Sequence, residues 1–262
     1  MPLMDLGEVR MNYEVHGEGD PVVLITGLGG DVSFWKGLVP LLERRCRMIV
    51  LDNRGAGRTE YPRRRFTIAD MADDIVGLLD GLGLERAHVV GWSMGGNIAQ
   101  EMAMAHPRRV CSLTLISTYT RRPSRSSYAI DAMIRTVKEG ANIACFLRLM
   151  QSYCLTEEAF RRKESNGRNG DPEDQGCCIE GIALQKEALD AFDSKGRVEG
   201  ISSPTLVIHG GEDIMVPPCM GERLADAIPD SVFRVIDGQG HIIHPTGYVE
   251  YLVAHMSRHN AL

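Results

Sequence analysis

The sequence predicts an α/β protein: a mostly parallel central sheet with helices on both faces and a helical cap inserted over one edge. Three observations lead there. Short, continuous apolar runs alternate with helix-patterned segments, which is how a parallel sheet and its crossover helices read. One run ends in Gly91-Trp92-Ser93-Met94-Gly95-Gly96 and leads straight into a helical segment. The alternation then stops near Tyr119 and resumes near Pro204.

The 262 residues are 44% hydrophobic and 24% charged, an ordinary balance that lets one large core form. The formal charge of -6, with no basic block, argues against nucleic acid as a partner. Met1-Pro2-Leu3-Met4-Asp5 has no basic start followed by an apolar stretch, so no signal peptide is expected. No apolar run approaches the ~20 residues that span a bilayer. Together these point to the cytoplasm and away from membranes. Cys46, Cys111, Cys145, Cys154, Cys177, Cys178 and Cys219 are odd in number and irregular in spacing. Cys46 and Cys111 sit in apolar runs and read as reduced core residues, and the adjacent Cys177-Cys178 does not form a zinc knuckle.

Residues 8–16 alternate loosely and read as an early strand, and Gly17-Glu18-Gly19-Asp20 as a hairpin turn. Residues 21–26 form a strand buried on both faces, ending in Gly27-Leu28-Gly29-Gly30-Asp31. Ser33 is positioned to cap a helix whose inward face carries Trp35, Leu38, Val39 and Leu42. Residues 47–52 are the next buried strand. Thr67 opens a helix with Ile68, Met71, Ile75, Leu78 and Leu79 at helical spacing, closed by Gly83. Residues 87–90 are a strand, 97–106 a helix stopped by Pro107, and 110–117 another strand. In the insertion, 129–137, 143–153, 157–162 and 178–191 are amphipathic helices, with a polar loop at 165–176. Strand 204–209, helix 217–227, strand 232–236 and helix 248–257 complete the chain. The expected organisation is a core of 1–120 and 198–262 with a cap at 121–197.

Between a strand and a helix, Gly91-x-Ser93-x-Gly95 reads as a nucleophile elbow. The turn lifts the hydroxyl clear of the sheet edge, and side chains in place of the glycines would collide with the neighbouring strand and helix. A serine hydroxyl is a weak nucleophile near neutral pH and needs a base beside it. His241 follows a strand-like run and a Gly-Gln-Gly turn; His244 is its close competitor, set lower because it falls where the last helix starts. Asp213 follows strand 204–209 through two glycines, at the sheet edge where ligands of parallel sheets gather. From there a carboxylate can hold the imidazole's tautomer. Glu212 is expected to point elsewhere.

These motifs resemble the α/β-hydrolase superfamily, whose chain order is serine, acid, histidine. The resemblance implies Ser93 as nucleophile, His241 as base and Asp213 as acid. Some relatives place the acid after the strand that follows the nucleophile helix; here that point reads Ser117-Thr118-Tyr119-Thr120, without a carboxylate. It implies an oxyanion hole from the backbone N–H groups of Leu28 and Met94. The family's loop usually begins His-Gly, and this one has Thr26-Gly27. Asp52-Asn53-Arg54-Gly55-Ala56-Gly57-Arg58-Thr59 resembles the family's D-x-R-G-x-G-x-S stretch and reads as a structural turn with Arg54 held by buried partners. The resemblance covers nearly the whole chain outside the cap. It is nearest the cofactor-free branch of 3-oxoadipate enol-lactone hydrolases, carboxylesterases and haloperoxidase-like enzymes, and implies neither cofactor nor metal.

The implied reaction is acyl transfer: a serine hydrolase acting on the ester, lactone or thioester of a small, largely apolar molecule. Haloalkane dehalogenases and epoxide hydrolases of this fold need aspartate at the position of Ser93. The nearest rival is a carbon–carbon bond hydrolase with the same triad. A rival of another class is a ligand-binding receptor that has lost the chemistry. Phe34, Trp92, Met133, Phe146, Met150, Tyr153, Met215 and Ile242 are the candidate pocket residues. Trp92 and Met94 are expected to form its floor. Arg63-Arg64-Arg65, and Arg121, Arg122 and Arg125, read as solvated surface charge. A small-molecule substrate is the expected partner, and a homo-oligomer is compatible with the sequence.

Overall fold

The computed structural model describes residues 3–165 and 178–259. The strands in chain order are β1 (Leu3–Asp5), β2 (Arg10–His16), β3 (Pro21–Ile25), β4 (Arg47–Leu51), β5 (Ala87–Trp92), β6 (Val110–Ile116), β7 (Thr205–Gly210) and β8 (Ser231–Ile236). The α-helices are α1 (Val39–Leu42), α2 (Ile68–Gly81), α3 (Met94–Ala105), α4 (Ser124–Lys138), α5 (Ile143–Cys154), α6 (Glu157–Ser165), α7 (Ile179–Ala191), α8 (Pro218–Ala227) and α9 (Val249–Ser257). The sheet order is β1-β2-β4-β3-β5-β6-β7-β8. Pairing is antiparallel for β1/β2 and β2/β4 and parallel throughout the rest.

Alternation of side chains across a strand builds two cores. Val23 and Ile25 of β3 join α2 and α3 on one face; Val22 and Leu24 join Trp35, Leu38 and α9 on the other. Each Leu or Ile so buried contributes roughly 1.5–3 kcal/mol. The helix at α2 begins as its sequence dictates. Thr67 Oγ1 accepts from Asp70 N at 3.1 Å, and the Asp70 carboxylate accepts from Thr67 N at 2.7 Å, a reciprocal capping box.

Three expectations need correction. No hairpin joins β2 to β3 at Gly17-Glu18-Gly19-Asp20. Strand β2 pairs with β4 instead, Tyr13 opposite Leu51, and β3 lies beyond it between β4 and β5. The wholly buried β3 takes two parallel neighbours, whereas the partly exposed β2 sits near the edge. Strand β1 is too short for its periodicity to be read. The helix expected after Ser33 is two pieces, a 3₁₀ turn over Val32–Gly37 and α1. Asp31 is its cap, accepting from Ser33 N at 2.8 Å. Pro40 lacks the N–H a continuous helix needs there. The polar loop at 165–176 lies, past Ser165, outside the described residues, as does Cys177. Among the described residues, no helix is long and apolar enough to cross a membrane.

The Arg54 turn is bolted to α2. Arg54 and Asp74 form a bidentate pair through Nε–Oδ2 and through Nη2–Oδ1 at 2.8 Å, with side chains 12% and 7% exposed. Burial, partly offset by Arg54, raises the Asp74 pKa. Removing one partner strands the other charge, so Asp74→Ala is expected to cost about 3–5 kcal/mol in denaturant unfolding; a loss under 1 kcal/mol would contradict a structural role. His88 and His209 are buried, and burial lowers each to about pH 4 from 6.5. The unfolded chain therefore takes up these protons first, and stability present above pH 6.5 is lost as pH falls toward 4. His209→Gln is expected to flatten the melting-temperature profile across that window; an unchanged slope would be the contrary result.

Candidate active site

The elbow stands at the carboxyl end of β5. Ser93 has φ 55° and ψ -118°, a left-handed conformation that costs a non-glycine residue about 1–3 kcal/mol. Close backbone packing holds it. A Cβ on Gly91 would lie 2.2 Å from the Gly95 carbonyl oxygen, and one on Gly95 would lie 2.1 Å from that of Ile25. Thr118 Oγ1 donates to the Ser93 carbonyl at 2.8 Å, and Ser93 N donates to Ile116 O at 2.8 Å. So the loop after β6, which carries no acid, braces the elbow.

Ser93, His241 and Asp213 are joined by hydrogen bonds. His241 Nε2 lies 2.9 Å from Ser93 Oγ, and His241 Nδ1 lies 2.8 Å from Asp213 Oδ2. A carboxylate only accepts, so Nδ1 carries the proton and Nε2 is free to accept from the serine. Asp213 Oδ1 accepts from Met215 N at 2.9 Å and Val216 N at 2.8 Å, which fixes the carboxylate from behind. Asp213 and His241 are buried, whereas Glu212 is exposed. His244 is exposed, with Nδ1 2.9 Å from Thr246 Oγ1. Trp92 Nε1 donates to the His241 carbonyl at 2.9 Å, and its ring stacks on Phe34 at 4.2 Å. From α5, Cys154 O accepts from Ile242 N at 3.1 Å.

Leu28 shares a cavity with Ser93. Met94 heads α3, where the first amides have no intrahelical acceptor. Thr26 replaces the usual histidine and holds its loop by its hydroxyl, which donates to Gly30 O at 3.0 Å. Gln185 from α7 clamps the same loop: its Oε1 accepts from Gly29 N at 2.8 Å and its Nε2 donates to Arg54 O at 2.5 Å. A single side chain thus ties α7, the loop after β3 and the Arg54 turn together. Gly181 and Gly55 make that approach feasible, since a Cβ on Gly181 would lie 2.1 Å from Gly55 O.

The cavity beside Ser93 has an empty volume of about 390 Å³, including its mouth. Trp92, Met150 and Met215 line it; of the other pocket candidates, Phe34, Met133, Phe146, Tyr153 and Ile242 do not. Phe34 backs Trp92. Met133 and Phe146 are buried in the core, against which Tyr153 packs. Ile242 borders a separate surface cleft beside Thr156 and His244. Met94 is fully buried beneath α3 and forms no floor, because the elbow turns it inward. Lining residues not foreseen include Tyr119, Arg122, Ser126 and Val216. Arg122 is not solvated: its side chain is 5% exposed. Its place just past β6, on the sheet edge where ligands gather, was the available signal.

Gln185→Ala should loosen the loop that presents Leu28 while leaving Ser93 and His241 in place. The expected result is a roughly tenfold fall in kcat with little change in KM, the size of one lost hydrogen bond. An unchanged kcat would show that the clamp does not matter to turnover.

A family model described as the alpha/beta hydrolase fold matches residues 20–248. RutD of Variovorax paradoxus (strain S110), named as a candidate carbamate hydrolase, is 33% identical over 241 residues, covering 88% of this chain and 89% of that protein. A thermophilic esterase from Thermogutta terrifontis superposes with a TM-score of 0.82 at 29% identity, over 96% of this chain and 93% of that one. The enol-lactonase from Burkholderia xenovorans LB400 gives a TM-score of 0.82 at 27% identity, over 97% and 96%. Fold, elbow and relatives agree: the chain belongs to the α/β-hydrolase fold family and is a hydrolase.

Proposed function

We propose that this protein is a serine hydrolase that cleaves a small carboxylic ester, lactone or thioester through an acyl-serine intermediate. The observation that carries the reading is the unbroken line of hydrogen bonds from Ser93 Oγ through His241 to Asp213, with Ser93 and His241 lining one cavity. His241 Nε2 takes the serine proton as Oγ attacks the carbonyl carbon. The carbonyl oxygen becomes an oxyanion and is met by the Leu28 and Met94 N–H groups. Each such donor is worth on the order of 10²–10³ in turnover. The imidazolium, steadied by Asp213, returns its proton to the leaving alcohol or thiol as the tetrahedral adduct collapses. Water, deprotonated by His241, then attacks the acyl-serine, and the acid product leaves.

In the same reading the helices between β6 and β7 act as the cap that selects the substrate, bounded at about 121–197. Met150 and Leu189 of that segment, together with Met215, give the cavity its apolar wall.

A second reading is carbamate cleavage, favoured by the name of the 33% identical relative. The same serine attacks a carbamate carbonyl, and the products differ: ammonia or an amine accompanies carbon dioxide. Product analysis after incubation with simple carbamates and with esters separates the two.

Ser93→Ala is expected to lower kcat on short p-nitrophenyl esters by roughly 10³-fold or more while leaving the melting temperature nearly unchanged. A fluorophosphonate probe should label Ser93 and no other residue. Undiminished hydrolysis by the variant, or labelling elsewhere, would overturn the mechanism.

A further inference from the structure

Arg122 is an unusual wall for an apolar cavity. Its side chain is 5% exposed and borders the same space as Ser93 and His241. A nearly buried cation is costly unless charge or hydrogen bonds compensate it. Asp190 supplies part of this, its Oδ1 accepting from Arg122 Nη1 at 2.9 Å. But Asp190 is 35% exposed and already carries a second cation, with Lys186 Nζ 2.7 Å from its Oδ2. Its Oδ1 also accepts from Ser127 Oγ at 2.9 Å. Among the described residues, Nη1 to Asp190 is the guanidinium's one hydrogen bond. A guanidinium has five donors in a planar fork, so most are unspent. No aspartate or glutamate lines the cavity.

Tyr119 borders the cavity beside Arg122. Its main chain is pinned: the Tyr119 carbonyl accepts from Asn97 Nδ2 at 2.7 Å and Gln100 Nε2 at 3.1 Å, both from α3. Burial pushes the Tyr119 phenol up to about 12, so it remains a neutral hydroxyl able to donate. The lining thus combines the serine and histidine with a cation and a phenol, and with Met150, Leu189 and Met215 as apolar wall. Arg122 stands between this cavity and an outer cleft that it shares with Ser127, Lys186 and Asp190.

We propose that Arg122, assisted by Tyr119, is a carboxylate subsite, and that the substrate is a small ester, lactone or thioester carrying a carboxylate at the end remote from its reacting carbonyl. The guanidinium fork matches a carboxylate's two oxygens, and partial desolvation strengthens that pairing. Asp190 acts as a positioning residue that orients the fork from behind. This deepens the acyl-serine reading and rests on it for the placement of the reacting carbonyl.

The test compares kcat/KM for monomethyl succinate, glutarate and adipate with that for the neutral methyl pentanoate. At least one half-ester is expected to be preferred. Arg122→Gln should cut that preference on the order of 10- to 100-fold, mainly through KM, with Arg122→Lys restoring part of it. Asp190→Asn keeps an acceptor for Nη1 and so should leave the preference in place. Arg121→Gln, at a neighbouring side chain that is 77% exposed, should leave it within about twofold. If Arg122→Gln and Asp190→Asn instead impair anionic and neutral esters equally, the pair is only structural and the subsite is refuted. Should Arg122→Gln fail to fold, the Lys and Asn variants still decide. Calorimetry of glutarate binding to Ser93→Ala, with and without Arg122→Gln, reads the subsite without turnover. Ser93-dependent hydrolysis without anion preference would sink this proposal alone; hydrolysis that survives Ser93→Ala would sink the acyl-serine reading while glutarate binding still reports on Arg122.

Discussion

A serine held in left-handed backbone is the constraint around which this molecule is arranged. At φ 55° Ser93 sits where a non-glycine residue resists, and its neighbours leave it no alternative. Gly91 meets the Gly95 backbone, and Gly95 meets the end of β3, at separations that no Cβ would allow. Strand β5, helix α3 and strand β3 therefore approach more closely here than side chains would otherwise permit. Thr118, one residue beyond the left-handed Ser117, closes the elbow's carbonyl from the loop after β6. The strain is contained because the sheet centre is wholly buried and parallel, where a local relaxation would break several ladders together.

From that point outward each side chain of the candidate site is held by its neighbours. The indole of Trp92 binds the backbone of His241 and rests on Phe34. The amides of Met215 and Val216 hold the far oxygen of Asp213. Gln185 reaches from α7 to the loop after β3 and to Arg54, whose own side chain is anchored on α2. The helices after β6 are thus mechanically coupled to the loop that would hold an oxyanion. Movement of α7 and geometry at Leu28 are linked through one amide side chain.

Charge is distributed unevenly around the site. Exposed pairs such as Arg10–Glu60 and Arg162–Glu158 contribute little, since solvent screens them. Among the described residues two arginine pairs are set deeper: Arg54–Asp74 beneath the turn, and Arg122–Asp190 at the cavity wall. The first has both members nearly sealed, as a structural bolt requires. The second has a sealed cation and a partly wet anion, an arrangement that leaves the cation able to meet another group.

The chain itself dictated the strands and helices of the core, the elbow and the order serine, acid, histidine, because these depend on local signals: period, caps, glycines and strand ends. The Thr67 cap and the alternation of β3 could be read residue by residue. What the sequence could not decide were matters of distance across the chain. Strand β2 passes over β3 to reach β4, a choice made by which strand needs two buried neighbours rather than by the turn between them. The turn of α3 sends Met94 into the core while Trp92, two residues earlier, faces the cavity. Met133, Phe146 and Tyr153 belong to the core because the insertion's helices use them to pack, and apolar composition is the same for either duty. Arg122 looked like one member of a surface cluster, and only tertiary packing distinguished it from Arg121. Its burial depends on α7, some 60–70 residues later, bringing Asp190, itself paired with Lys186, to meet it.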